Sequence, residues 1–597
     1  MPTNNIELIK ALDKIRLGNL YVHNDELPDI NFSSESLKTR KVYLVETLAS
    51  INALVDRGTM LLYGGHGGGK TTLAKYLGQV FHQLSKDSIE NCILRGHPQL
   101  TEEKILGSLD IAQLTGAKEL SENASGEKKV DVIWNDFVDS QWKIIDEINR
   151  LSPYAQNILL SLLAESSVKY HNEPKRLGNF TLFATMNPKD DTNSNWDMSL
   201  PFKDRFAVAL PITMPDYESL STIGREKDKS NKLDNLASYL DNFDLRKAQE
   251  EVRELKYSEE AELLINIIIS SYRICDRISK ESNDKITVEN GLCTKPSECH
   301  YYQVNKVCNK IINPLSVRVK EDLYRYGKAL AWFLGDSEVE LKHIKALAPF
   351  MIWHRSSLSK IFKKEISESR FDAGVFSLNI ELESTREIIE MICSEFEGLF
   401  PLLQTFEKVK MGKLTTAEFK EFTQRIKDDR NNFLVTKKEI IPILEQSYLP
   451  VYNEITTFNN RIERTNDIQE LNKIKYELTD RYDIPNRQFL ADIIEKKRRK
   501  IGSQSLPPHV FKLSFKDLNL IVAKECFELE QIIKSKFNSN FNPTYNKTEV
   551  LSDLGEGEFN LSMERLNEGS GESSLRFVFQ GKEDHPIFIF LKKHNVG

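Results

Sequence analysis

Apolar positions change their period along the chain, and those changes mark out the elements. Leucines, valines and isoleucines recur three and four apart from Lys38 to Arg57 and stop before Gly58, which predicts a helix. A short apolar run, Met60–Tyr63, then a glycine cluster, then a new helical pattern from Lys70 read as strand, loop and helix. Two more apolar runs, Trp142–Ile145 and Thr181–Met186, each lie beside a helical pattern. Strands alternating with helices over about residues 56–215 predict a parallel α/β sheet. From about 225 to 358 the spacing is helical with one cysteine-bearing interruption. Residues 360–500 hold long charged stretches with apolar positions three and four apart, which predict extended helices. After Ser503–Pro508, read as a linker, the segments FNLSMERL, LRFVFQ and PIFIFLKK turn to β character, with Gly581–Asp584 as a turn. Residues 1–37 lack a strong pattern and are expected to form a partly ordered lead-in.

Composition narrows the class. Glycine (27) and proline (20) are scarce in 597 residues, which suits a helix-rich chain with few tight turns. A formal net charge of −7 gives no global basic field for nucleic acid or an anionic membrane, so a polyanion would need a local patch. No apolar run approaches the ~18 residues that cross a bilayer. The start, MPTNNIELIKALDK, lacks the basic-then-apolar layout of a secretory signal. A cytoplasmic protein is expected, and its seven cysteines should be reduced thiols or metal ligands.

The chemistry concentrates in the α/β segment. Gly64-Gly65-His66-Gly67-Gly68-Gly69-Lys70-Thr71 fits G-x-x-x-x-G-K-[ST] between a strand and a helix. Glycines are needed because backbone N–H groups must curl around a phosphate that side chains would obstruct. Lys70 would reach the β- and γ-phosphates, Thr71 would offer its hydroxyl to Mg²⁺, and Thr72 follows in the same first helical turn. The apolar strand Trp142–Ile145 ends in Asp146 and Glu147: the first to hold Mg²⁺, the second to orient and deprotonate the attacking water. Lys143 is out of place in a strand that should be buried on both faces.

Asp146-Glu-Ile-Asn-Arg-Leu-Ser-Pro-Tyr-Ala-Gln-Asn-Ile-Leu-Leu-Ser-Leu-Leu-Ala-Glu165 resembles the Walker B segment and following helix of the MoxR-type AAA+ ATPases. Gly96–Gly107 is similar to that clade's entry into its helix-2 insertion, and Phe183-Ala-Thr-Met-Asn-Pro188 to its sensor 1 strand. Lys203-Asp-Arg-Phe206 resembles the arginine-finger segment. Pro314-Leu-Ser-Val-Arg318 is similar to the sensor 2 start of a lid helix, and Ala346–Arg355 to the lid's end. The resemblance spans about residues 40–358. It implies that Asn187 orients water beside the γ-phosphate, that Arg205 acts on a neighbouring subunit's nucleotide, and that Arg318 senses the γ-phosphate from the lid. Taken alone, Asn187 has a lesser reading as a turn residue and Arg205 as a surface ion pair, while Arg150 suits an interface or a helix cap alike. The resemblance further implies hairpins at about Asp110–Ile133 and Val168–Gly178 that face a pore, although Lys175 and Arg176 also suit a solvated turn.

Cys275, Cys293, Cys299 and Cys308 cluster in the lid, consistent with a structural zinc site, with His300 as a substitute ligand, or with buried free thiols. The basic run Lys496-Lys-Arg-Arg-Lys500 reads first as a solvated helix end and second as a nucleic-acid contact.

The expected organisation is a lead-in over 1–37, an AAA+ α/β domain over 38–224 and a helical lid over 225–358. An extended helical domain over 359–502 and a small α+β segment over 503–597 follow. The expected activity is Mg²⁺-dependent ATP hydrolysis by a homo-oligomeric ring, hexameric by analogy, that remodels or loads a protein client. A von Willebrand factor A domain partner is expected by analogy with MoxR-like proteins. The alternatives are a nucleic-acid translocase and an McrB-like GTPase.

Overall fold

The computed structural model describes residues 3–17, 25–27, 29–34, 37–65, 67–122, 128–165, 167–171, 173–187, 198–214, 243–272, 307–372, 379–428, 440–485, 487–505, 509–515, 549–552, 559–567, 573–581 and 592. The chain divides into two compact units, Met1–Pro401 with Phe433–Val435, and Leu402–Asn432 with Thr436–Gly597.

The first unit is built on five strands: β1 (Gly58–Tyr63), β2 (Ile93–Arg95), β3 (Trp142–Asp146), β4 (Thr181–Met186) and β5 (Val208–Pro211). They lie in the order β5-β1-β4-β3-β2, every pair parallel, with registers Gly58↔Thr181, Met60↔Val208, Thr181↔Trp142 and Ile93↔Ile144. A parallel sheet carries helices on both faces, so its strands read as unbroken apolar runs, which is how β1 and β4 were legible. The helix after the glycine loop, α3 (Lys70–His82), lies close on the sheet because Gly78 faces the Trp142 indole. A Cβ there would fall 2.6 Å from Trp142 Nε1. That indole donates to Ala74 O at 3.0 Å.

Lys143 has a physical account. Its buried ammonium donates to the carbonyls of Phe137 (2.5 Å), Val138 (2.8 Å) and Ser140 (2.7 Å), so all three of its donors are used. Those carbonyls end the short helix Asp136–Asp139, and the lysine caps it from inside the sheet.

The start of the chain holds an element that the pattern of residues 1–37 did not announce. Residues Thr3–Leu17 form helix α1, with Leu8, Ile9, Leu12 and Ile15 buried and the Asn5 amide 3.5 Å from Trp332 O. The lead-in is therefore packed structure over 3–17. Helix α2 (Leu44–Leu54) is shorter than the periodicity of 38–57 suggested, because Tyr43 is extended and bridges to Glu26.

Two hairpins interrupt the sheet connections near the segments where the resemblance implied them. Gly107–Leu109 pairs with Val132–Trp134, and Ser167–Tyr170 with Glu173–Arg176, both antiparallel. They meet through the Trp134 and Tyr170 rings, 6.4 Å apart, and through Lys175, which pairs with Asp139 and lies 5.8 Å from the Trp134 ring centre.

Helices follow the sheet: α5 (Leu245–Glu254), α6 (Glu259–Ser271), α7 (Val317–Leu334), α8 (Leu341–Ile352), α9 (Lys360–Asp372) and the long α10 (Ile380–Lys410). Cys275, Cys293, Cys299 and His300 lie outside the described residues, and Cys308 is buried. Among the described residues no group of three or more His, Cys, Asp or Glu is placed to hold a metal. No described helix is long and apolar enough to cross a membrane.

The second unit holds α11 (Thr416–Asp428), α12 (Tyr452–Arg464), α13 (Ile468–Thr479) and α14 (Arg487–Ser505). They are tied by the stacked Phe419 and Tyr452 rings (4.1 Å) and by Arg461 donating to Glu470 at 2.9 Å. Helix α14 runs into the stretch read as a linker. Beyond it β6 (His509–Phe515), β7 (Glu549–Ser552), β8 (Phe559–Asn567) and β9 (Ser573–Gly581) form an antiparallel sheet in the order β6-β9-β8-β7. The expected strand PIFIFLKK, with Phe588 and Phe590, falls outside the described residues apart from Lys592.

Candidate nucleotide site

The glycine loop joins the end of β1 to α3, and its shape is dictated by space and by φ. A Cβ on Gly64 would fall 2.0 Å from Ile212 O, the residue just past β5. Gly67 (φ 74°) and Gly69 (φ 79°) occupy the left-handed region that favours glycine. Gly65 and Gly68 have ordinary room, and His66 lies outside the described residues. The loop thus delivers the N-terminus of α3, with Lys70 buried, Thr71 half-buried and Thr72 exposed, to the carboxyl edge of the sheet.

Four side chains form a relay across that edge. Lys70 Nζ donates to Gly64 O (2.8 Å), Gly65 O (2.7 Å) and Asn187 Oδ1 (2.9 Å). Asn187 Nδ2 donates to Glu147 Oε1 at 3.3 Å, and the other Glu147 oxygen pairs with Arg150 at 2.9 Å. Burial lowers the Lys70 ammonium below the usual lysine range, while Asp146 and Glu147 pull it back. Thr71 Oγ1 donates to Asp146 Oδ1 at 2.7 Å. Neighbouring ligands of an octahedral Mg²⁺ lie about 3 Å apart, so this hydroxyl and carboxylate fit a shared ion.

Thr185 is a site residue that reading by motif passed over. Its buried hydroxyl donates to Asp146 Oδ1 (2.6 Å) and accepts from the Glu147 N–H (2.9 Å), fixing both acids from the neighbouring strand. Its place two residues before Asn187 was the available signal. Glu147 itself sits at φ 53°, a left-handed conformation uncommon for a non-glycine residue. Gly96 lets the end of β2 approach it: a Cβ at 96 would fall 2.1 Å from Glu147 O.

The remaining expected residues gather elsewhere. The Arg205 carbonyl accepts from Thr59 Oγ1 at 2.8 Å, and Ala207 N donates to Thr59 O at 3.0 Å, which pins Arg205 to the first turn of β1. From Thr59 to the glycine loop is five residues of strand, about 16 Å. An arginine side chain reaches roughly 7 Å. Arg318, at the start of α7, donates to Asp204 Oδ2 at 3.0 Å and so shares that distant end. Asn187, Lys70, Thr71, Asp146 and Glu147 therefore converge, whereas Arg205 and Arg318 form a separate pair.

Residues 59–206 match the family model described as the AAA domain, dynein-related subfamily. No curated protein matches the chain. Among solved structures, the chain is similar to a protein from Cytophaga hutchinsonii assigned as an ATPase, at 19% identity. That match covers 65% of this chain and 96% of that one, with a TM-score of 0.41. The glycine loop, the paired acids and the family match over β1 to Phe206 agree: this chain carries an AAA domain and is an ATPase.

Proposed function

We propose that the chain is a MoxR-like subunit of a homo-oligomeric ring that hydrolyses ATP to remodel or load a protein client. The observation that carries this reading is the ~16 Å separation of Arg205 and Arg318 from their own glycine loop. Arginine cations that complete a phosphoryl-transfer site contribute on the order of 10³–10⁵ in rate. On this chain they lie at the wrong end of the sheet to serve their own site, so each would serve the next copy. A head-to-tail contact of that kind closes into a ring where the rotation permits.

The residues present fit a magnesium nucleotide, which supplies the reactive phosphate. Lys70 and the loop N–H groups would hold its β- and γ-phosphates, and Thr71 with Asp146 would hold Mg²⁺. Glu147 would take the proton from water, and Asn187 would orient that water. Before that, Lys70 must leave Asn187 Oδ1 for the phosphate, which frees the Asn187 amide to turn toward the reacting edge.

A protein client is supported by the expected insertion, which exposes the apolar side chains of Ile111 (69%), Leu114 (56%) and Ile133 (55%). The nucleic-acid reading loses residues instead. Lys175 is engaged with Asp139, Lys497 donates to Ile462 O (2.8 Å) and Glu463 O (2.7 Å), and the buried Arg498 pairs with Glu495. The hexameric number, the von Willebrand factor A partner, cytoplasmic residence and a zinc site at the cysteine cluster rest on analogy or sequence alone. A GTP preference would show as faster turnover of GTP than ATP.

Turnover per subunit against protein concentration tests the reading. It should rise steeply as copies assemble and stay flat for Arg205→Ala. A wild-type rate independent of concentration down to a demonstrated monomer would overturn it.

A further inference from the structure

Asp204 lies between the two arginines that the proposed function assigns to a neighbour, and its contacts are more specific than a surface ion pair requires. Its carboxylate is 11% exposed and holds three groups from the lid. Oδ1 accepts from Ser316 Oγ at 2.7 Å, Oδ2 accepts from Arg318 Nη1 at 3.0 Å, and Arg355 Nε stands 4.0 Å from Oδ1. Ser316 is the N-cap of α7, so two of these contacts come from the first turn of one lid helix.

Arg355 ties the same knot from the other side. It is buried, donates through Nε (3.0 Å) and Nη2 (2.6 Å) to Phe206 O, and pairs with Asp322 of α7 at 2.6 Å. The residues flanking Arg205 are thus clamped: Asp204 by its side chain, Phe206 by its carbonyl, and Arg205 itself through its carbonyl on Thr59. Arg318 keeps 48% of its side chain exposed although one of its nitrogens is bound. A guanidinium with one edge fixed and the other in solvent is positioned, not consumed.

We propose that Asp204 is a positioning residue: it welds the start of α7 to the Arg205 segment so that Arg205 and Arg318 are presented together, as one rigid two-cation element, to the phosphates of the next copy. This rests on the reading that Arg205 acts between copies. Preorganised cations cost no rearrangement at the moment of reaction, and a shift of about 1 Å in such a group can lower a rate about 10²-fold. The element is also a mechanical link, because any movement of α7 is transmitted to the finger through a carboxylate that both share.

The test uses the full-length protein as Asp204→Asn, and as the swap Asp204→Arg with Arg318→Asp, which restores an ion pair across the same gap without restoring the arrangement. Fluorescent ATP binding, mass in solution, melting temperature and turnover are measured for each. Asp204→Asn should bind ATP within about twofold of wild type and assemble, while turnover falls about 10²-fold. The swap should regain melting temperature but not turnover. Wild-type turnover in Asp204→Asn would overturn the proposal. So would turnover regained by the swap, which would make the pair a structural tie only, or a folded Asp204→Asn that does not assemble, which would place Asp204 in the interface. Arg205→Ala run alongside separates the two ideas: if it turns over normally, the reading of the finger between copies has failed, whatever Asp204 does.

Discussion

If Asn187 holds the proposed place between Lys70 and Glu147, two substitutions at this position should separate nucleotide binding from hydrolysis and act differently on affinity. In the relay its Oδ1 accepts from Lys70 Nζ at 2.9 Å and its Nδ2 donates to Glu147 at 3.3 Å. Asn187→Asp replaces both with charge. With an effective dielectric near 20, the new carboxylate attracts Lys70 by about 6 kcal/mol and repels Glu147 by about 5 kcal/mol. Lys70 is then held away from the phosphate and Glu147 is disfavoured as an anion. Nucleotide affinity should fall at least ~10-fold, together with turnover. Asn187→Ala instead releases Lys70, whose other two acceptors remain, at a loss of about 1.5–3 kcal/mol of charge-assisted hydrogen bonding in the resting site. Affinity should hold or rise while turnover falls about 10²-fold or more, since water would lose the amide proposed to orient it. Titration with a fluorescent ATP analogue and single-turnover hydrolysis measure the two quantities. Equal affinity for both variants would refute the competition between Asn187 and phosphate for Lys70.

Three further outcomes are expected. Gly64→Ala should lose nucleotide binding, because its Cβ would meet Ile212 O at 2.0 Å, whereas Gly65→Ala, with nothing within 4 Å, should bind normally; calorimetric titration decides. Lys143→Met leaves three carbonyls without a donor at about 1–3 kcal/mol each, offset by about 3 kcal/mol of relieved desolvation, so urea unfolding at pH 7 should show a net loss of about 3 kcal/mol. Burial lowers the Lys143 ammonium to about 8, below its unfolded value of 10.5. The unfolded chain therefore binds more protons between those values, and wild type should gain stability as pH rises through that window while Lys143→Met does not. For the cysteine cluster, elemental analysis of purified protein decides between the two readings: one zinc per chain supports a structural site, and a metal-free protein of native stability supports free thiols.

Much of the first unit was readable because its signals are local. A glycine loop between an apolar strand and a helix, or two acids ending an apolar run, needs no knowledge of distant residues. The antiparallel hairpin at 167–176 was expected only through the family resemblance, not from a local signal of its own. What escaped depends on long-range packing. Leu8, Ile9, Leu12 and Ile15 have helical spacing, but a single helix becomes visible as core only once α7 receives it. Lys143 looked misplaced because its three carbonyl partners come from the preceding helix end, which no periodicity announces. Thr185 reads as an ordinary strand threonine until β3 and β4 stand side by side. The grouping of Arg318 with Arg205 rests on Asp204, more than a hundred residues before Arg318 in the chain. Of the basic run, Lys497 and Arg498 turned out to be absorbed by helix ends and Glu495.

On the proposed mechanism, one copy's phosphate site is finished by another's arginines. Mixing Lys70→Ala, which retains Arg205, with Arg205→Ala, which retains Lys70, tests it most directly. Each variant alone should be inactive, and an equimolar mixture should recover a substantial fraction of wild-type turnover through mixed contacts. A mixture that stays as inactive as its two parts, although mass measurements show the variants co-assembling, would contradict the account.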